Sequence, residues 1–406
     1  MGNTGIYKRF SKLKKKFRKI LSKGYKFYTL RILYPGIYKK FSKKPVDDYK
    51  VVFIEVRMPE ISDNFSLIYD RVKRDSCYKV STHFLRMSFA KRKEYRNLCK
   101  AMVKDIATAK YVFMNESSNV TSCLSMRKET ILTQLWHGCG AFKKFGMSTA
   151  ELKFGDNKAT LEKYPYHRNY THVTVSSPEV IWAYEEAMSL KNEKGVVKAT
   201  GVSRTDVFFD KEFISSAKDR VYRVFPQARN KKVILYAPTF RGRVAKAKTP
   251  DVLDVEQLFD AFGDEYVIIF KHHPFVKRRP VILDKYKEFA KDLTDMSTIE
   301  DLIIVSDICI SDYSSLVFEY SLFVRPMIFL AHDLEDYFDW RGFYYDYKDF
   351  VPGPIVTTTS EIVDYISDID NTFDRERVIE FREKYMSACD GHATDRIMKL
   401  VFEGRS

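Results

Sequence analysis

Two histidines, a set of cations and a pair of neighbouring serines are the residues of this chain best suited to chemistry. His137 stands in Trp-His-Gly, with Gly138 and Gly140 beside it and Lys143 and Lys144 close behind. Glycine lets a backbone approach closely, lysine suits an anionic ligand, and an imidazole can take a proton near neutral pH. His273 follows Lys271-His272 and precedes Pro274, and Arg204, Arg241 and Arg243 add positive charge suited to a pyrophosphate. Ser314 and Ser315 lie in Ser-Asp-Tyr-Ser-Ser, between two apolar runs. If a helix begins there, its first N–H groups lack internal partners and its dipole favours an anion. A base, cations and a phosphate-binding turn are what transfer from a nucleotide-diphosphate donor needs. Each residue also has a plainer reading: a structural histidine, a solvated arginine, or Asp312 or Ser314 simply capping a helix.

These residues share a position. Apolar, β-rich runs at 49–56, 109–115, 129–135, 171–177 and 195–201, then at 231–240, 265–274, 301–310, 325–330 and 354–358, alternate with helix-length segments. That alternation predicts an α/β fold of two Rossmann-like halves with parallel sheets. Ligands of such sheets bind beyond the carboxyl ends of the strands, where the polar clusters fall. The expected domains are an arm at 1–45, an acceptor half at 46–205 and a donor half at 206–406. A charged helix, 374–403, closes the chain and is allowed to pack back on the first half.

Composition narrows the class. Of 406 residues, 45% are hydrophobic and 30% charged, as in a globular protein, and no apolar run reaches the length of a membrane span. Six cysteines (77, 99, 123, 139, 309 and 389) form no CxxC pair, so neither zinc nor a disulfide framework is suggested. No metal site and no cofactor are expected; GxGxxG and P-loop signatures are missing. Residues 1–45 hold 15 of the 69 Lys and Arg residues and none of the 54 Asp and Glu residues, leaving a formally neutral remainder. Ile6, Phe10, Leu13, Phe17, Ile20 and Leu21, spaced three or four apart among these cations, predict a basic amphipathic helix for an anionic membrane surface rather than for nucleic acid. A helix packed on the body is the other reading of this arm.

In order along residues 110–400, the stretches QLWHGCGAFKKFG, VSSPEV, TGVSRTDVFF, ILYAPTFRG, HHP, SDYSSLVFEYSLFVRPMIFL, RGFYYDYKDFVPGPI and DGHATDRI occur. This ordered set resembles the CDP-glycerol glycerophosphotransferases that build teichoic acids and related polymers. The resemblance implies a GT-B-like pair of domains at the cytoplasmic face of the cell membrane, peripherally attached. It implies transfer of a polyol phosphate from a CDP-linked donor to a lipid-linked glycan acceptor, with release of CMP. Glycerol phosphate from CDP-glycerol stands first and ribitol phosphate from CDP-ribitol second. His137 and His273 are the catalytic candidates, His137 as base and His273 at the donor pyrophosphate. Arg204, Thr239, Arg241, Lys271, Ser314, Ser315, Glu319 and Arg341 are expected on the donor, and Gly138, Lys143 and Lys144 on the acceptor or an anion. Cys139 departs from the small polar residue often found after His-Gly. The rival readings are a GT-B sugar transferase and a non-enzymatic basic tether; self-association into a homo-oligomer is compatible with either.

Overall fold

A computed structural model describes residues 18, 20–153, 155–242 and 247–403, and side chains for all of these but 339–341. Most of the expected amphipathic run from Ile6 to Leu21, and Arg243, lie outside the described residues.

Among the described residues twelve strands form two six-stranded sheets, and every pairing within each sheet is parallel where the register is defined. The first comprises β1 (Asp47–Glu55), β2 (Lys79–Phe84), β3 (Ala109–Met114), β4 (Ile131–Gln134), β5 (His172–Thr174) and β6 (Val197–Lys198), in the order β2-β1-β3-β4-β5-β6. The second comprises β7 (Lys232–Tyr236), β8 (Tyr266–Phe270), β9 (Ala290–Asp292), β10 (Ile308–Ser311), β11 (Met327–Leu330) and β12 (Ile355–Val356), in the order β12-β11-β10-β7-β8-β9. Val51 to Ile54 of β1 and Val267 to Ile269 of β8 are wholly buried. Continuous apolar runs suit strands that are covered on both faces by crossover helices.

Four elements differ from expectation. The run 301–310 is not one strand: Ile299–Val305 is a helix, capped by the Thr298 hydroxyl, which accepts from Asp301 N–H, and only Ile308–Ser311 is extended. An apolar run is ambiguous in periodicity, and the Thr-x-x-Asp cap decides it. Strand β2, half-exposed at the sheet edge, and the three-residue β9 had no clear sequence signal. The closing helix is broken into Arg375–Met386 and Ala393–Met398, with Gly391 at φ 89° between them.

By its contacts the chain divides into two compact units. One holds the residues up to Trp136 together with Asn157–Val173. The other holds His137–Asp156 together with Thr174 onward, so the histidine loop, the second sheet and the last helices belong to one body. Within it, Ala388 N–H donates to the Ser176 carbonyl at 2.9 Å, the Arg396 guanidinium to the Thr200 carbonyl at 2.8 Å, and the Ala393 and Thr394 N–H groups to the Asp206 carboxylate.

Candidate active site

Strand β10 ends in Ser311, and the chain turns through Asp312, Tyr313, Ser314 and Ser315 into the helix Leu316–Ser321. The Asp312 carboxylate shapes the turn: one oxygen accepts from Tyr313 N–H at 2.6 Å and from Thr239 N–H, beyond β7, at 2.8 Å. The Ser314 hydroxyl accepts from Leu316 N–H at 3.3 Å, so this serine does cap the helix as the plainer reading required. Ser315 begins the helical backbone and makes no capping bond. The helix is under two turns long, so its macrodipole is weak and the N–H groups of the turn are its main resource for an anion.

The histidine loop rests on this helix. A Cβ on Gly138 would stand 3.8 Å from the Ser315 hydroxyl, and one on Gly140 would fall 2.1 Å from the Phe318 ring. Gly140 has φ 62°, so glycine is required there by both backbone and space. The Tyr184 hydroxyl donates to the Gly138 and Gly140 carbonyls at 3.3 and 3.0 Å, and Gly140 N–H donates to Ser176 Oγ at 3.0 Å. Ser176 in turn donates to the Tyr385 carbonyl at 2.7 Å. His137 itself is exposed while Cys139 and Gly140 are buried, so the loop presents its imidazole from a fixed base. Burial raises the Cys139 thiol far above its ordinary value, which leaves it an inert filler rather than a nucleophile.

Further along, Lys143 forms an antiparallel bridge with Phe343, and Lys144 N–H donates to the Gly342 carbonyl at 3.1 Å. Phe142 stacks on Phe343 and Phe350 at 4.7 and 4.8 Å. This pairing brings the two lysines beside the C-terminal end of the helix Leu334–Arg341.

The second histidine follows β8. His273 Nδ1 accepts from Phe275 N–H at 3.2 Å, and its ring packs on Phe240 and Phe275 at 4.7 and 4.5 Å. Phe240 lies between Thr239 and Arg241, so the loops after β7, β8 and β10 are linked in sequence by contacts. Thr239 is 7% exposed and its hydroxyl has no hydrogen-bond partner among the described residues. An unpaired buried hydroxyl at a strand end costs free energy unless a ligand or water meets it.

The cations are more engaged than their sequence context suggests. Arg241 makes a two-bond fork to Asp333 at 2.6 and 2.8 Å and reaches Asp312 at 3.0 Å, with Tyr313 and Tyr337 against its flat face. Burial works against its charge, but the two carboxylates raise its pKa on balance. Arg204 is bonded to Glu300 at 3.0 Å and to Glu319, and the three side chains are largely buried beneath the 316–321 helix. Burial opposes the Arg204 charge too, and the carboxylates more than offset it. Thus Arg204 and Glu319, both expected on the donor, meet each other. Lys271 points its ammonium at the Thr294 and Ser297 carbonyls, and burial lowers its pKa. Sequence reasoning did not single out Asp333, Tyr184 or Ser176, which act over long chain separations; only the glycines of the 138–140 loop signalled that something had to pack closely there.

The site therefore brings Gly138, the neighbour of His137, against Ser315 of the Ser314–Ser315 turn, with Thr239, Arg241 and His273 linked to that turn through the adjoining loops. The family model described as CDP-Glycerol:Poly(glycerophosphate) glycerophosphotransferase matches residues 37–403. The chain is 37% identical to a teichoic acid poly(ribitol-phosphate) polymerase of Bacillus spizizenii over 91% of its own length, and spans 59% of that relative. It is 35% identical to a teichoic acid ribitol-phosphate primase of the same organism, covering 88% of this chain and 92% of that one. The solved wall teichoic acid polymerase TagF shares the fold, with a TM-score of 0.75 at 21% identity over 96% of this chain and 98% of that one. With a match that takes in both sheets and every loop of the site, the chain belongs to the CDP-glycerol:poly(glycerophosphate) glycerophosphotransferase family, a family of enzymes.

Proposed function

We propose that this chain transfers ribitol phosphate from CDP-ribitol to a lipid-linked glycan acceptor and releases CMP. Family membership supports polyol-phosphate transfer, and the two ribitol-phosphate relatives favour ribitol over the glycerol expected from the motifs. The observation that supports the site assignment is the seating of the histidine loop on the Ser314–Ser315 turn, where Gly138, next to His137, approaches the Ser315 hydroxyl at the start of a helix. The acceptor hydroxyl attacks the phosphorus bearing the polyol, His137 takes its proton, and the bond from that phosphorus to the CMP oxygen breaks. His273, Thr239 and the N–H groups at Ser314 and Ser315 meet the donor phosphates and the charge that grows on departing CMP. Arg204 and Arg241, both bound to carboxylates, act as positioning residues for the helix and the loops; Lys143 and Lys144 face an anion. In this reading the two sheets belong to a GT-B-like pair of domains.

Mass analysis of acceptor and nucleotide after incubation with CDP-ribitol tests the reaction type. Polyol-phosphate transfer adds ribitol and one phosphorus to the acceptor and yields CMP; a sugar transferase would instead take a nucleotide sugar and leave a nucleoside diphosphate. Ser315→Ala is expected to raise the donor KM about tenfold or less with kcat nearly unchanged, because one neutral hydrogen bond contributes on the order of 1 kcal/mol. Steady-state rates against CDP-ribitol concentration read this directly, and an unaltered donor KM would remove Ser315 from the donor site.

The proposal includes peripheral attachment at the cytoplasmic membrane face. Among the described residues no helix is long and apolar enough to cross a membrane. Ile20, Leu21, Phe27, Tyr28 and Ile32 are exposed, with Lys23, Lys26 and Arg31 between them, which supports an interfacial role. Tyr34 and Tyr38, by contrast, are buried, and the Tyr38 hydroxyl accepts from Arg127 N–H at 3.2 Å. A truncation testing the arm should therefore stop before Tyr25, whose ring lies 3.7 Å beneath the Arg92 guanidinium. Removing residues 1–24 is expected to cut sedimentation with anionic vesicles severalfold and to leave turnover on a soluble acceptor analogue intact. Undiminished vesicle binding would place attachment elsewhere.

A further inference from the structure

Away from the catalytic loops, the first unit carries a groove of about 780 Å³ between Phe41 and the helix Arg92–Ile106, floored by Asp105 and His83. Its chemistry is cationic. Lys44 and Lys104 hold their ammonium groups 5.8 and 5.6 Å from the same Phe41 ring, so two like charges are gathered around one aromatic side chain. Lys100 lines the same groove. None of these three has an ion-pair partner among the described residues. Lys50 is the fourth lysine, and it is bound to Asp105 at 2.6 Å. Asp105 also meets His83 at 2.8 Å and Ser81 at 2.6 Å. Burial would raise the Asp105 pKa, but these bonds pull it well below the usual carboxylate range. The one carboxylate present is thus fully committed, and the groove keeps an uncompensated charge from three lysines.

A second groove, of about 540 Å³, adjoins the first. Both are lined by Asn97 and Ala101 of the same helix. The second is lined by Leu98 and Ala101 together with Lys91, Lys93 and Glu94, whose carboxylate is paired with Arg86 at 3.1 Å, and its exposed surface is mainly apolar. The two together form one trough with a cationic end and an apolar end. The segment that brings Phe41 to the cationic end is the same one that exposes Ile20, Leu21 and Ile32.

We propose that this trough is a binding site for an anionic phospholipid, with the headgroup phosphate among Lys44, Lys100 and Lys104 and the start of an acyl chain along Leu98 and Ala101. Charge complementarity selects the phosphate, and the adjoining apolar groove selects an amphiphile over an acidic peptide or a free ion. The binding is separable from the transfer reaction, since it involves no residue of the catalytic loops.

The test uses the full chain and dihexanoyl phosphatidylglycerol below its micelle concentration, so that a bilayer's bulk charge plays no part, with affinity measured by calorimetry. Saturable binding is expected. Lys100→Glu with Lys104→Glu should weaken it about 30-fold, taking about 1 kcal/mol for each lysine. Lys211→Glu with Lys218→Glu, an equal charge change at exposed positions of the second unit, should leave it unchanged. The milder Lys100→Gln with Lys104→Gln pair covers the case in which charge reversal harms folding, and should weaken binding in the same direction. Dihexanoyl phosphatidylcholine and inorganic phosphate should each bind at least tenfold more weakly. Equal losses in the groove and control variants would overturn the site. Inorganic phosphate binding as tightly as the lipid would reduce it to an ion site and overturn the lipid assignment.

Discussion

Replacing His137 by alanine is expected to lower kcat about 10²–10⁴-fold while leaving the donor KM within about threefold of the native value. The split follows from where the imidazole sits. It is exposed on a loop whose backbone is held by Tyr184 and Ser176 and pressed on the 316–321 helix, so these backbone bonds remain when the imidazole is removed. Donor phosphates, in the proposed reading, meet Thr239, His273 and the Ser314–Ser315 turn, none of which changes. A general base contributes only as the proton moves, so kcat and kcat/KM should fall together. Rates within about tenfold of native would remove His137 from the chemistry. A large rise in donor KM would make it a binding residue instead.

The second large effect is on stability. Arg204→Ala should cost about 3–5 kcal/mol, measured as a lowered urea midpoint, because Glu300 and Glu319 would be left buried without their cation. Their side chains are only 7% and 3% exposed, so neither can turn to water without opening the core. Glu319 lies on the 316–321 helix, so the same variant should lose activity as the seat of the histidine loop loosens. Arg204→Ala combined with Glu319→Gln should recover part of the stability, since one stranded charge is removed. A loss under about 1 kcal/mol for the single variant would mean that water reaches the pair and that the ion cluster is not what fixes the helix.

Much of this arrangement could be read from local sequence, and the failures have two causes. The β-turn-α pattern around Ser314 was legible because apolar runs and turn residues are local signals. So was the close approach at Gly138 and Gly140. The partners of the cations were not. Arg241 meets Asp333 from 92 residues away, and Arg204 meets Glu319 from 115 residues away. Read one by one, such arginines look available to a ligand; only the fold shows which carboxylates already hold them. The run 301–310 misled for a different reason, because helix and strand are equally good ways to bury Leu302, Ile303 and Ile304, and the short Thr298 cap settles the matter.

Ribitol-phosphate transfer is tested by measuring the nucleotide released when the purified chain meets CDP-ribitol, and separately CDP-glycerol, with a lipid-linked acceptor analogue. Acceptor-dependent CMP is expected from CDP-ribitol, in clear excess over CDP-glycerol, and is expected to be lost in the His137→Ala variant. CMP from CDP-glycerol alone would contradict the choice of polyol. No acceptor-dependent CMP from either donor would contradict polyol-phosphate transfer itself.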